Sequence, residues 1–329
     1  MAKLQLTLAA GGYDMVRPLA DGSIKADGIE LNVLTGMGPR ERHWRMARYN
    51  EFDVCELNVA AYFVGRDQDH PYTALPVFLH RRFRHGFVFV NAAKGIASPK
   101  DLIGKRVGGT NFMPAGNVWI RGILEEYYGV PHRDIIWVTD RDEDVDFTPP
   151  KDLKLERVGK GEDLDEMLAE GRLDAVISPA IPEPFLRGDA RVKRLFENNK
   201  EVEIAYYKQT GIFPIMHVTA IRQEIVDKYP WVAANLVIAF EQAKKWAYRR
   251  IENPRMVPLA FVRSTVEEQQ ALMGKDPWEF GLTPRNRKTL ETAQRYTHQQ
   301  GMTSRLRPLE ELFVDTDQGG IRDSHSSGV

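Results

Sequence analysis

The sequence predicts an α/β protein built from two similar lobes, and three observations carry that expectation. Short apolar runs at strand spacing alternate with amphipathic helical stretches along most of the chain, the pattern of sheets covered by helices. A phrase of helix, turn, aspartate and buried strand occurs once in each half, ending at Phe52–Leu57 and at Asp174–Ile177. Finally, two long extended runs, beginning at Phe87 and Ile212, stand where the chain could leave a first lobe and return to it. The expected division is a discontinuous first lobe of 1–90 plus 215–329, with 91–214 inserted as the second. Two crossing segments between lobes are where a cleft can close on a ligand.

The 329 residues, 43% hydrophobic and 28% charged, can bury two such cores. With 45 basic against 46 acidic residues there is no field to attract nucleic acid or an anionic membrane surface, and no window approaches the length of apolar residues needed for a membrane span. One cysteine, Cys55, excludes an internal disulfide and a cysteine-rich metal site. The opening MAKLQLTLAAGGYD lacks the long apolar stretch and cleavage site of a secretory signal, so a cytoplasmic protein is expected.

In order, Leu4, Leu6 and Leu8 alternate as a strand that Gly11-Gly12 ends. Tyr13, Asp14 and Arg17 follow at its carboxyl end, where ligands of open α/β sheets gather. A strand is expected over Ile29–Leu34, a charged helix over Arg40–Tyr49, and a strand over Phe52–Leu57 that ends at Asn58. The basic cluster His80-Arg81-Arg82-Phe83-Arg84-His85 precedes the strand Phe87–Val90. Gly104–Leu124 reads as strand, Gly108-Gly109 turn, loop and helix opening near Gly116 and Asn117. Such a helix start presents unpaired amides and a positive dipole end, a seat for a carboxylate or phosphate. After the strand Ile135–Val138, the acidic, proline-containing stretch Asp140–Pro150 is expected as an exposed loop. The second Asp strand ends at Ser178, and Ile212–Ile221 is expected as one long strand interrupted by Pro214. Helices follow over Tyr229–Ile251, Thr265–Met273 and Pro284–Gln300, with a fraying polar tail from Gly319.

Five phrases, YDMVRPLADG (13–22), FRHGFVFVN (83–91), DLIGKRVG (101–108), VWIRGIL (118–124) and TGIFPIMH (210–217), together resemble the 4,5-dihydroxyphthalate decarboxylase family over about residues 4–310. The resemblance implies a two-lobed type II periplasmic-binding-protein-like fold with a central ligand cleft and two crossing segments. It also implies a cytoplasmic enzyme that removes one carboxylate from a hydroxylated aromatic dicarboxylate. One departure is the loop Ser178–Pro182, which lacks the arginine that the resemblance leads one to expect there.

Decarboxylation of such an acid needs cations on the carboxylate that stays and a proton donor at the ring carbon. What the resemblance implies for this chain is His85 and His217 as acids, one on each crossing segment, with Glu56 positioning a ring hydroxyl or accepting its proton. A structural role for each histidine and an arginine partner for Glu56 are the alternatives. Substrate-binding candidates are Arg84, Arg121, Asn117, Gly116, Asn58, Tyr13, Arg17 and Ser178. Arg121 either points back to the helix start or pairs with Glu125 one turn on. Trp44 and Trp119 are expected in the core. His85, His217 and Glu56 lack the local spacing of a metal motif, so neither metal nor cofactor is expected. The partner expected is a small aromatic carboxylate, and a homo-oligomer stays open. A solute-binding protein of an ABC-type transport system and another cytoplasmic enzyme on the same scaffold are the competing readings.

Overall fold

Alternating leucines begin the chain as a strand, and ten further strands follow among the residues described in this computed structural model, 3–159 and 161–316. The expected fraying tail from Gly319 lies outside the described residues. The strands are β1 (Leu4–Ala9), β2 (Ile29–Leu34), β3 (Val54–Asn58), β4 (Tyr72–Leu75), β5 (Val88–Asn91), β6 (Arg106–Gly108), β7 (Ile136–Thr139), β8 (Leu155–Arg157), β9 (Ala175–Ile177), β10 (Val192–Arg194) and β11 (His217–Arg222). The helices are α1 (Arg17–Ala20), α2 (Pro39–Tyr49), α3 (Val59–Asp67), α4 (Ala115–Tyr128), α5 (Leu164–Ala169), α6 (Glu183–Leu186), α7 (Asn199–Thr210), α8 (Gln223–Lys228), α9 (Trp231–Glu252), α10 (Val262–Met273), α11 (Pro284–Gln299) and α12 (Leu309–Leu312). No helix among the described residues is long and apolar enough to cross a membrane.

Two sheets result, each the centre of one lobe. The first has the order β2-β1-β3-β11-β4 and the second β10-β5-β9-β6-β7-β8. In the first, β1 runs parallel to β2 and β3, while β11 returns antiparallel between β3 and β4. In the second, β6, β7, β8 and β9 are parallel and β5 runs against β9. Parallel strands need helical crossovers, which is why the sequence alternates its two periodicities.

The repeated phrase has a structural counterpart. Before β3, Asn50 ends α2 in the left-handed region, and before β9, Gly171 adopts the same region, each reversing the chain after a helix. Asp53 then accepts the Thr7 amide of β1 at 2.8 Å, and Asp174 accepts the Arg106 amide of β6 at 2.9 Å. In both lobes an aspartate at the start of the central strand thus ties it to its parallel neighbour.

The crossing segments lie side by side. Arg81 bridges Ile215 in antiparallel sense, and the Arg82 amide donates to the Pro214 carbonyl at 3.0 Å. The expected strand from Ile212 begins only at His217. Pro214 has no amide to give, and the amides of Met216 and His217 both turn to the His80 carbonyl, at 2.9 and 3.3 Å. That crowding brings His217 beside His80.

Two further expectations change. The Asp140–Pro150 loop is tied inward: Val145 is buried and the Glu143 carboxylate accepts the Phe112 and Met113 amides at 2.6 and 2.9 Å. Trp119 is in the core with its indole N–H on the Ile215 carbonyl, but Trp44 is 39% exposed and stacks edge-on against Tyr49.

Candidate active site

Glu56 sits in the middle of β3, completely buried, with β1, β11 and α2 around it. Four donors converge on its carboxylate. The Gly11 amide lies 2.8 Å from Oε2, the Arg42 guanidinium 2.6 Å from Oε2, the Tyr13 hydroxyl 2.8 Å from Oε1, and His217 Nδ1 2.5 Å from Oε1. Antiparallel register explains the last: Thr219 faces Glu56, so His217 is its diagonal neighbour on the same face. Gly11 is needed for close approach, because a Cβ there would lie 2.6 Å from the Tyr13 ring that folds back over it.

Burial pushes the Glu56 carboxyl up, but His217, by charge and hydrogen bond, then Arg42 and His43 outweigh it, and the net direction is well below the ordinary range. Glu56 is therefore a carboxylate and can only accept, so His217 Nδ1 carries the proton between them. The other ring nitrogen, Nε2, has no protein hydrogen bond, and the side chain keeps 11% of its exposure. Burial, then Glu56, raises the Tyr13 hydroxyl, so it stays protonated.

Two further histidines flank His217 edge-on, His43 and His80, each with ring centroids 4.6 Å away. Burial foremost, then His217, depresses both, His80 to about 2, and keeps them neutral at physiological pH. His80 also stacks on Tyr13.

The facing lobe supplies a cation. Arg84 is buried, donates to the Ser178 carbonyl at 2.7 Å, and leaves Nε without a partner. Its Cζ lies where a Cβ at Gly116 would approach to 2.7 Å, so the guanidinium rests on the first turn of α4. Burial foremost, then Arg82, pulls it down to about 9, still charged at neutral pH. Arg84 has no carboxylate within ion-pair distance among the described residues. The Arg84 guanidinium also lies over the Phe87 ring at 4.5 Å and feels the charge of Glu203; beside a helix start its unpartnered Nε can receive an anion.

Among the sequence candidates, the structure brings Glu56, His217 and Tyr13 together on one lobe and Arg84, Gly116, Asn117 and Ser178 on the other. Asn117 donates to the Asn111 carbonyl at 3.0 Å and leaves Oδ1 without a partner.

Four others it places elsewhere. His85 lies among Tyr128, Phe196 and Tyr206, with both ring nitrogens unpartnered, and burial lowers it to about 4. It is apart from the Glu56 cluster. Asn58 uses its side-chain oxygen to cap α3, accepting from Ala60 and Ala61. Arg121 does lean back toward the start of α4 and does not pair with Glu125, but it is buried over the Phe112 ring and its donors go to Gln300 and to the Phe112 carbonyl, both at 2.6 Å, while Glu125 pairs with His132. Arg17 is exposed in the first turn of α1.

Sequence reading missed Arg42, His43 and His80. Strand parity was the signal for one of them. In an extended crossing segment His80 and Arg82 share one face and Arg81 and Phe83 the other, until Arg84 (φ −120°, ψ −9°) ends the extended run and His85 opens a 3₁₀ turn. Arg81 accordingly turns away to Asn286 and the Glu279 carbonyl, and Phe83 packs on Phe213. Arg42 and His43 reach the site from α2, which no local spacing announces. Among the described residues no group of three or more His, Cys, Asp or Glu is arranged to hold a metal ion.

No protein-family model matches the chain. Two curated relatives do. A 4,5-dihydroxyphthalate decarboxylase of Comamonas testosteroni is 37% identical over 322 residues, covering 95% of this chain and 97% of the relative. A 4,5-dihydroxyphthalate decarboxylase of Pseudomonas putida is 36% identical over 215 residues, covering 63% and 83%. Among solved structures, the periplasmic sulfonate-binding protein SsuA from Methylobacillus flagellatus KT superposes with a TM-score of 0.57 at 14% identity, covering 95% of this chain and 92% of the other. The alkanesulfonate-binding protein SsuA from Xanthomonas axonopodis pv. citri, bound to MOPS, gives 0.53 at 13% identity, covering 95% and 96%. These likenesses identify the fold as that of the periplasmic binding proteins.

Proposed function

The chain belongs to the 4,5-dihydroxyphthalate decarboxylase family, and from that premise we propose that it removes one carboxylate from a hydroxylated aromatic dicarboxylate. The observation that carries this reading is the pairing of an oriented His217–Glu56 couple on one lobe with the unmatched, buried Arg84 on the other. Arg84 and the first-turn amides of α4 hold the carboxylate that stays. A cation held as firmly on the leaving carboxylate would stabilise it before the bond breaks and oppose the reaction.

In the step itself, electron density from a ring hydroxyl assists protonation of the ring carbon that bears the leaving group. His217 delivers that proton from Nε2 while Glu56 holds Nδ1–H and stabilises the imidazolium form. The carbon–carboxylate bond then breaks, carbon dioxide departs, its bonding pair restores the aromatic ring, and water returns a proton to His217. Neutral His43 and His80 bring no second charge against the imidazolium.

Turnover of 4,5-dihydroxyphthalate, followed as released carbon dioxide and monocarboxylate product, tests the reading. His217→Gln should lose about 10²–10⁴ of the rate and keep phthalate binding. Tight binding of dicarboxylates by the wild-type protein with no turnover would instead make it a solute receptor, the function carried by its fold neighbours.

A further inference from the structure

Beside the hinge lies a cavity of about 930 Å³ that the reaction above leaves unused. Its inner wall is Tyr13, His80 and Arg82, the outer side of the Glu56 cluster. From there it passes between α9 and α10 along Tyr248, Val262, Val266 and Trp278. It opens past Leu259 and Phe261, which are 64% and 78% exposed.

The wall is mostly apolar, with a few polar groups that have nothing to bind. Trp278 Nε1 and His80 Nδ1 are buried atoms without a hydrogen-bond partner. Arg82, exposed to solvent, rests over the Phe87 ring and has no ion pair among the described residues, so it is free to meet an anionic group at the cavity. Arg81 is committed to Asn286, and the remaining charges on the wall, Asp14, Glu252 and Lys275, are exposed. An apolar, aromatic-lined cavity with convergent unsatisfied donors is the usual form of a small-molecule site, and this volume is near the top of the ~300–1,000 Å³ range for such sites. A single benzene dicarboxylate is far too small to fill it.

We propose that this cavity binds an extended or fused aryl group bearing a carboxylate, the rings against Tyr248 and Trp278 and the carboxylate at Arg82. The aryl group belongs either to a substrate longer than one ring or to a separate aromatic acid. The shared wall of Tyr13 and His80 couples either occupant to the Glu56 cluster.

Calorimetric titration with 2-naphthoate tests the site by binding, so its outcome is independent of whether the protein decarboxylates anything. The wild-type protein should bind saturably. Val266→Trp should weaken binding by about tenfold or more, and Thr265→Trp, which fills the same space from an exposed position, should do likewise if the first variant does not fold. Arg82→Gln should weaken 2-naphthoate by about tenfold and leave neutral 2-naphthalenemethanol unchanged. Absence of saturable binding, or binding that survives the tryptophan substitutions, overturns the proposal. Given binding, displacement by phthalate assigns the aryl group to the substrate itself, and binding alongside phthalate assigns it to a second molecule; each supports the site.

Discussion

Arg42 and Glu56 form an ion pair with almost no solvent contact, so each is costly without the other. Arg42→Met should destabilise the fold by about 3–5 kcal/mol, because it strands a buried carboxylate. Arg42→Met with Glu56→Gln should recover a large part of that loss, measured by urea unfolding at neutral pH. The Glu56 carboxyl is depressed in the fold, so its contribution is complete above the ordinary carboxyl value of about 4.3 and is lost as pH falls toward the folded value. His85 gives a different window. Burial lowers it to about 4, so between there and its ordinary value the unfolded chain binds more protons and stability rises with pH. At pH 5 the difference amounts to about 2 kcal/mol. His85→Phe should therefore stabilise by about that much more at pH 5 than at pH 8, with turnover retained, read by urea unfolding at both pH values alongside an activity assay. Collapse of turnover would return His85 to the chemistry.

At the scale of elements, the first turn of α4 receives the Arg84 guanidinium only because position 116 is a glycine. A Cβ at position 116 would meet the Arg84 guanidinium at 2.7 Å, and the guanidinium must then leave the helix start. Gly116→Ala should raise KM for a dicarboxylate by about tenfold, with a melting temperature close to wild type; an unchanged KM would remove Arg84 from substrate binding. The crossing segment of residues 80–85 shows how much an element's periodicity decides. Its histidines and arginines look alike in sequence, but alternation sends His80 and Arg82 to one face and Arg81 to the other, and the 3₁₀ turn after Arg84 sets His85 among Tyr128, Phe196 and Tyr206. Arg121 illustrates the opposite case. Helical direction does point it toward the start of α4, yet its donors are taken there by the Phe112 carbonyl, just ahead of the helix, and by Gln300 from distant chain.

Across the whole molecule, the lobes are joined by more than their hinge. On one side α11 packs against both α3 and α4: Tyr296 fills the space over Gly122, and Gln300 binds Arg121 and the Val118 carbonyl. On the other, Arg48 of α2 reaches Asp146 at 3.0 Å and the Glu143 carbonyl at 3.2 Å, and Gln68 reaches the Asp146 carbonyl at 2.7 Å. With these ties in place, large hinge opening would have to break α11 from one lobe. Small-angle scattering should show no resolvable change in radius of gyration when phthalate is added. A clear contraction would mean that the free protein stands open.

By itself the sequence determined the alternation of strands and helices, the repeated helix–turn–aspartate–strand phrase in each half, and the family. These rest on local periodicity and on motifs whose residues are close in the chain. That His217, Tyr13 and Arg42 meet at Glu56 with His43 beside them, that His85 lies apart, and that Arg84 rests over the start of α4 were decided only by tertiary structure. The physical reason is that a side chain's role depends on the donors and burial it meets, and around Glu56 those come from the end of β1, from α2 and from β11, up to 161 residues from Glu56 in the chain.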